Sequence, residues 1–131
     1  AGLDPEERQR FLNLLAEIGE RVVVILSTHI VEDVTELCPR MAIIAQGQVR
    51  LTGEPRETIR ALEGRVWRRA IDKAALPQYR ERMTVLSTRL AGGATLMHVL
   101  ADAKPEDGFE SVPPDLEDVY FGQLHHAAKA A

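Results

Sequence analysis

The chain has 131 residues, enough for one domain or two small ones. Its 45% apolar content is that of an ordinary globular protein, and a net charge of −4 gives no electrostatic case for nucleic acid as a partner. The single cysteine, Cys38, excludes an intramolecular disulfide and a cysteine-based zinc site, and no apolar run approaches the roughly 18–20 residues that span a bilayer, so any membrane contact has to come through a partner.

The chain opens "AGLDPEE", with no Met and already inside a helix-start signal, and reads as a piece of a longer protein. Asp4 can cap, Pro5 fits the first helical position, and Glu7 stands at the capping-box position. Phe11, Leu14, Leu15 and Ile18 then recur at i, i+3, i+4 and i+7, which predicts one buried face, and Gly19 predicts a left-handed helix end. Val22 to Leu26 is a continuous, mostly β-branched apolar run, the pattern of a strand buried on both faces of a parallel sheet. A helix carrying Ile30, Val31, Val34 and Leu37 follows and stops at Pro39. Met41–Ala45 and Gln48–Thr52 read as a hairpin around Gln46-Gly47, and Pro55 opens a short helix through Leu62 that Gly64 closes. The first half is therefore predicted as α-β-α-β-β-α.

The second half is predicted as a β-α-β-β-α unit, a small α+β domain whose sheet is half-covered by helices. Its strands are Val66–Ile71, Thr84–Ala91 and Ala94–Ala101, the last two joined by the strong hairpin signal Gly92-Gly93. Ala74–Arg82 reads as a helix with Pro77 in its first turn, and Lys104–Val112 as a polar loop. Asp115 can cap a last helix in which Leu116, Val119, Tyr120 and Leu124 share a face, while the tail from residue 126 reads as disordered.

These residues resemble a family. "AGLDP" resembles the D-loop of ABC transporter ATPase subunits, and "ILSTHIVEDVTELCPRMAIIAQGQV" resembles their switch-histidine strand, helix and hairpin; "GEPRETI" is similar to the segment after it. "GRVWRRAI" and the closing "PPDLEDVYFGQL" resemble the accessory C-terminal domain of the antibiotic- and multidrug-exporter branch, with Asp115 where Ser or Thr is usual and Tyr120 where Phe is common. No G-x-x-x-x-G-K-S/T loop occurs, and the signature and Walker B motifs are absent as well. The resemblance thus implies an α/β remnant of a P-loop NTPase core at residues 1–63, an accessory α+β domain at 64–125 and a tail at 126–131. It implies a parent that uses ATP and Mg, forms a homodimer of ATP-binding subunits, and drives transmembrane permease subunits from the cytoplasmic face of the membrane in export. It implies no ATP bound to this piece alone. It also implies an exposed apolar edge along Val22–Leu26, where the parent fold pairs that strand with the P-loop strand.

In that parent, the resemblance makes His29 the switch histidine that contacts the γ-phosphate, and Asp4 part of a loop that crosses the dimer interface toward the partner's ATP. From the residues alone, His29 also reads as a helix-start histidine that packs or faces water, and Asp4 as a plain N-cap. Ser27 and Thr28 do not make a Ser-His hydrolase with His29: neighbours on an extended segment point apart, and no nucleophile elbow or acid partner is placed. His125-His126 offers no fixed metal geometry, and no metal site is expected. Arg65, Arg68 and Arg69 surround Trp67, but strand alternation splits Arg68 from the other two, which favours a solvated strand with one packed Trp. The competing class is a stand-alone α+β regulatory or dimerisation module with no ATPase connection.

Overall fold

A computed structural model describes residues 4–130; Ala1–Leu3, which open the stretch that resembles a D-loop, and Ala131 lie outside the described residues. Helix α1 (Pro5–Gly19) starts as the sequence predicts: the Asp4 carboxylate accepts the Glu7 N–H at 2.8 Å, and Pro5 occupies the first turn. Its end differs. Gly19 is the last helical residue, and Glu20 follows in right-handed geometry, its N–H donating to the Glu17 carbonyl while the Arg21 N–H donates to that of Ile18, so no left-handed glycine is needed. The predicted apolar face also differs. Leu12 is the buried residue of α1, whereas Phe11, Leu14 and Ile18 are exposed. The helix-period stripe is present but has nothing to lie on among the described residues.

The same correction applies to Val22–Leu26. The run is extended, but it is not a strand: no backbone hydrogen bond forms from Val23 to Ser27 among the described residues. A strand exists only through a neighbour that completes its ladder, and here none is supplied. Val23 and Ile25 are 92% and 89% exposed, an alternation that turns two branched apolar side chains into solvent. The chain alone is therefore expected to self-associate through this run. Light scattering over a concentration series should show growing mass for the natural sequence and a constant monomer for Val23→Lys combined with Ile25→Glu. A natural-sequence monomer at every concentration, with the run still exposed, contradicts this.

Helix α2 (Val31–Leu37) follows, and then the antiparallel hairpin of β1 (Met41–Ala45) and β2 (Gln48–Gly53). Gln46 and Gly47 both have positive φ, 54° and 72°, the mirror-image turn whose twist suits a two-residue hairpin. Helix α3 (Pro55–Arg60) leads into the second half. There β3 (Val66–Ile71), a 3-10 turn (Lys73–Ala75), α4 (Leu76–Arg82), β4 (Thr84–Ala91) and β5 (Ala94–Leu100) fall where the hydrophobic pattern places them. A two-residue strand β6 (Glu110–Ser111) lies inside the segment read as loop, so the order is β-α-β-β-β-α. Its polar sequence carries no strand signal. It pairs with β3 through Trp67–Ser111 and Arg68–Glu110.

The sheet is antiparallel in the order β4-β5-β3-β6. One face holds a core of Tyr79, Val85, Met97, Val99 and Phe109, with Trp67 against it. The opposite face is covered by α5 (Leu116–Ala130), so helices lie on both faces rather than one. Gly122 of that helix faces Leu86: a Cβ there would make ordinary contact with Leu86 Cδ2 at 3.7 Å. The helix continues past residue 125, where the sequence reads a disordered tail, and Ala127 is buried. Alanine and lysine are good helix formers, and packing against the body offsets the cost of ordering them. The other side of α5 supplies Leu116, Val119 and Tyr120 to a second core with Ile43, Val31, Val34, Met41, Leu51, Ile59 and Leu62. One helix therefore ties both halves together.

Candidate functional site

Asp4 and His29, the two residues singled out from the sequence, stand at the starts of α1 and α2. Asp4 is exposed and caps α1. His29 is exposed at the end of the extended run, and none of the side-chain hydrogen bonds among the described residues involves its ring. The Ile30 N–H donates to Thr28 Oγ1 at 2.9 Å, a short hydroxyl-closed turn that brings the chain from extended to helical at this point. What holds the two helices together is a pair that the sequence did not disclose. The Arg8 guanidinium donates to the Asp33 carboxylate, and Asp33 is buried. Arg8 lies one turn beyond Asp4 and Asp33 one turn beyond His29, so the pair sets the spacing of the two loops. Nothing in the local pattern links positions 25 residues apart.

The segment that carries His29 is flanked by two apolar clefts. One, of about 460 Å³, lies against α1 and is lined by Leu15, Gly19, Val22, Val24, Leu37 and Cys38. The other, also about 460 Å³, runs along β1 and is lined by Thr28, His29, Val34, Ile43, Leu116 and Tyr120 among others. Cys38 borders both. Burial, followed by the nearby Asp33 charge, pushes its thiol above the ordinary range, so it is a poor nucleophile.

The remaining candidates resolve into structure. Arg65, Arg68 and Arg69 each pair with a carboxylate, Asp102, Glu110 and Glu106 respectively, which removes the basic-patch reading. Arg69 lies over the rings of Tyr79 and Phe109, and Trp67 Nε1 donates to the Ala101 carbonyl at 3.0 Å. His125 is not in a solvated tail. It is half-buried on α5 with an unpartnered Nε2, and burial, then the Lys129 and His126 charges, hold it below the usual imidazole range. No group of three metal-ligating side chains occurs among the described residues.

A second feature missed from sequence is Asp118, 2% exposed on α5. His98 Nδ1–H on β5 donates to it at 3.0 Å, and Asp115 and Asp118 cap each other, each carboxylate accepting the other's N–H at 3.0 Å. Burial opposes ionisation of Asp118. The hydrogen bonds from His98 and the Asp115 N–H, with the imidazole's charge, outweigh it and hold the carboxyl below the ordinary aspartate range. Asp115 is pushed up, by burial first and then by the charges of Asp118 and Glu117, against the Asp118 N–H. The signs are opposite. Asp118 contributes stability that is present above its unfolded value of about 3.9 and lost as pH falls through its lower folded value. Asp115 contributes stability that is present below about 3.9 and lost as pH rises through its higher folded value. At pH 7, Asp118→Asn is expected to cost about 1–3 kcal/mol in urea unfolding, whereas Asp115→Asn, which keeps the capping oxygen, is expected to be neutral or stabilising. Equal losses in both variants contradict this.

No family model matches the chain. It is 32% identical over 107 residues to the methionine import ATP-binding protein MetN of Bordetella pertussis, covering 80% of this chain and 28% of that protein. It is 35% identical over 65 residues to the energy-coupling factor transporter ATP-binding protein EcfA2 of Caldanaerobacter subterraneus, covering 48% of this chain and 23% of that one. The chain's relatives are ATP-binding proteins of ABC transporters. A third, the ABC transporter ATP-binding protein YxlF of Bacillus subtilis, is 24% identical over 140 aligned positions that take in 95% of this chain and 47% of that protein. The chain thus spans about a quarter to a half of the length of these curated relatives. A two-sheet α/β arrangement is compatible with a piece of such a protein. No described helix is long and apolar enough to cross a membrane.

Proposed function

We propose that this chain is the C-terminal part of the ATP-binding subunit of an ABC transporter, with residues 1–63 ending the nucleotide-binding core and 64–125 forming an accessory domain. The observation that carries the reading is the apolar run ending at His29, flanked by apolar clefts and lacking a ladder. A sequence this greasy belongs inside a sheet flanked by helices. In open α/β sheets, ligands sit beyond the carboxyl ends of the strands, where His29 stands.

In this reading the His29 imidazole meets the γ-phosphate of ATP, and the Asp4 loop crosses to a second subunit. The residues present do not make that site alone. They offer one exposed imidazole and a loop, but no glycine-rich phosphate cradle. No step of ATP chemistry is assigned to the chain by itself, and a calorimetric titration with ATP and Mg is expected to show no tight binding. Submicromolar affinity contradicts this.

In the complete subunit, ATP binding and hydrolysis drive permease partners at the cytoplasmic face of a membrane. The "PPDLEDVYFGQL" ending supports export; the match to a methionine importer, which takes in most of the chain, supports import, and a transport assay in vesicles separates the two. The residues encoded before Ala1 test the whole reading. A short apolar strand ending in Asp-Glu supports it, and an initiator Met directly before Ala1 sinks it in favour of a stand-alone module.

A further inference from the structure

The extended run has no ladder, so something else must place the His29 segment. On the β1 side that element is α5. Leu116 and Tyr120 line the same cleft as Thr28 and His29, and Leu116, Val119 and Tyr120 pack with Val31 and Val34 of α2. The position of α5 is fixed in turn on the sheet. Asp118, on the turn that carries Leu116 and Tyr120, is held by His98 from the central strand β5. A buried carboxylate with a single side-chain partner is intolerant of displacement, because sliding the helix would strand the charge.

We infer that the His98–Asp118 pair is a positioning latch for the His29 segment, acting through α5 across the boundary between the two halves. The arrangement gives the accessory sheet a physical route to the switch segment: a change at β5 moves α5, and α5 moves the wall of the cleft that contains Thr28 and His29. The bearing on hydrolysis rests on the proposed role of His29; the placement does not.

Cys38 reports the placement, since it borders the clefts on both sides of the segment and the chain has no other thiol. The test is the rate of Cys38 alkylation by iodoacetamide, followed by mass spectrometry in dilute solution without nucleotide. His98→Ala removes the latch and is expected to speed alkylation roughly tenfold by local opening. His98→Asn, whose amide nitrogen stands where Nδ1 does and can donate to Asp118, is expected to restore the slow rate. Val85→Ala weakens the core on the other face of the sheet and controls for global unfolding; it is expected to leave alkylation slower than His98→Ala does. An unchanged rate in His98→Ala, or equal acceleration in Val85→Ala, overturns the latch. A His29→Ala subunit that hydrolyses ATP normally would overturn the role of His29 and leave the latch standing.

Discussion

Replacing Met97 with alanine is expected to lower the stability of the chain by about 2–5 kcal/mol. Met97 is fully buried in the middle of β5, paired with Arg69 on one side and Thr88 on the other. Its side chain fills the space between Tyr79, Val85, Val99 and Phe109. A central strand cannot move in to close the hole, because both of its ladders would have to shift. Total stabilities of small domains are about 5–15 kcal/mol, so this one change removes a large share. Urea unfolding followed by the fluorescence of Trp67, which packs against the same core, gives the measurement. Met97→Leu conserves most of the volume and is expected to cost less than about 1.5 kcal/mol. Equal and small losses for both variants would mean that this cluster is not the core.

Apart from the two-residue strand β6 and the end of α5, the sequence pattern named the elements to which the structure supplies a partner. The alternation of Thr84–Ala91 and Ala94–Leu100 about Gly92-Gly93 became β4 and β5, and the Asp4 and Asp115 caps formed as their positions imply. Where it supplies none among the described residues, the pattern named a buried face or a strand that does not form. Phe11, Leu14 and Ile18 keep helical spacing yet lie in solvent, and Val22–Leu26 keeps strand composition without a ladder. Periodicity records the surroundings a segment is built for, and among the described residues no neighbour supplies those surroundings to these two segments.

Long-range polar pairs were illegible for a different reason. Arg8–Asp33 and His98–Asp118 join positions 25 and 20 residues apart, and no local spacing rule connects them. Both bury a carboxylate, which sequence reading assigns to solvent by default. They are also the contacts that orient the candidate site: one spaces the helices that follow Asp4 and His29, and the other holds the helix that walls the His29 cleft. His29 itself was singled out by the resemblance and by its position after an apolar run, and the structure places it exposed at that point.

The role proposed for His29 carries the second large effect. Phosphoryl transfer depends on positioning and charge stabilisation rather than on covalent chemistry by the protein. An imidazole aimed at the transferred phosphoryl group adds one hydrogen-bond donor where charge develops, and losing one such donor typically costs about 100- to 1,000-fold in rate. In the proposed reading, ATP binding draws mainly on a phosphate cradle that this sequence does not contain, and should change little. The most direct measurement is therefore ATP hydrolysis by the complete subunit carrying His29→Ala, with nucleotide binding measured in parallel. The account predicts hydrolysis reduced by about 100-fold or more with ATP affinity preserved. Hydrolysis at the rate of the unsubstituted subunit would contradict it.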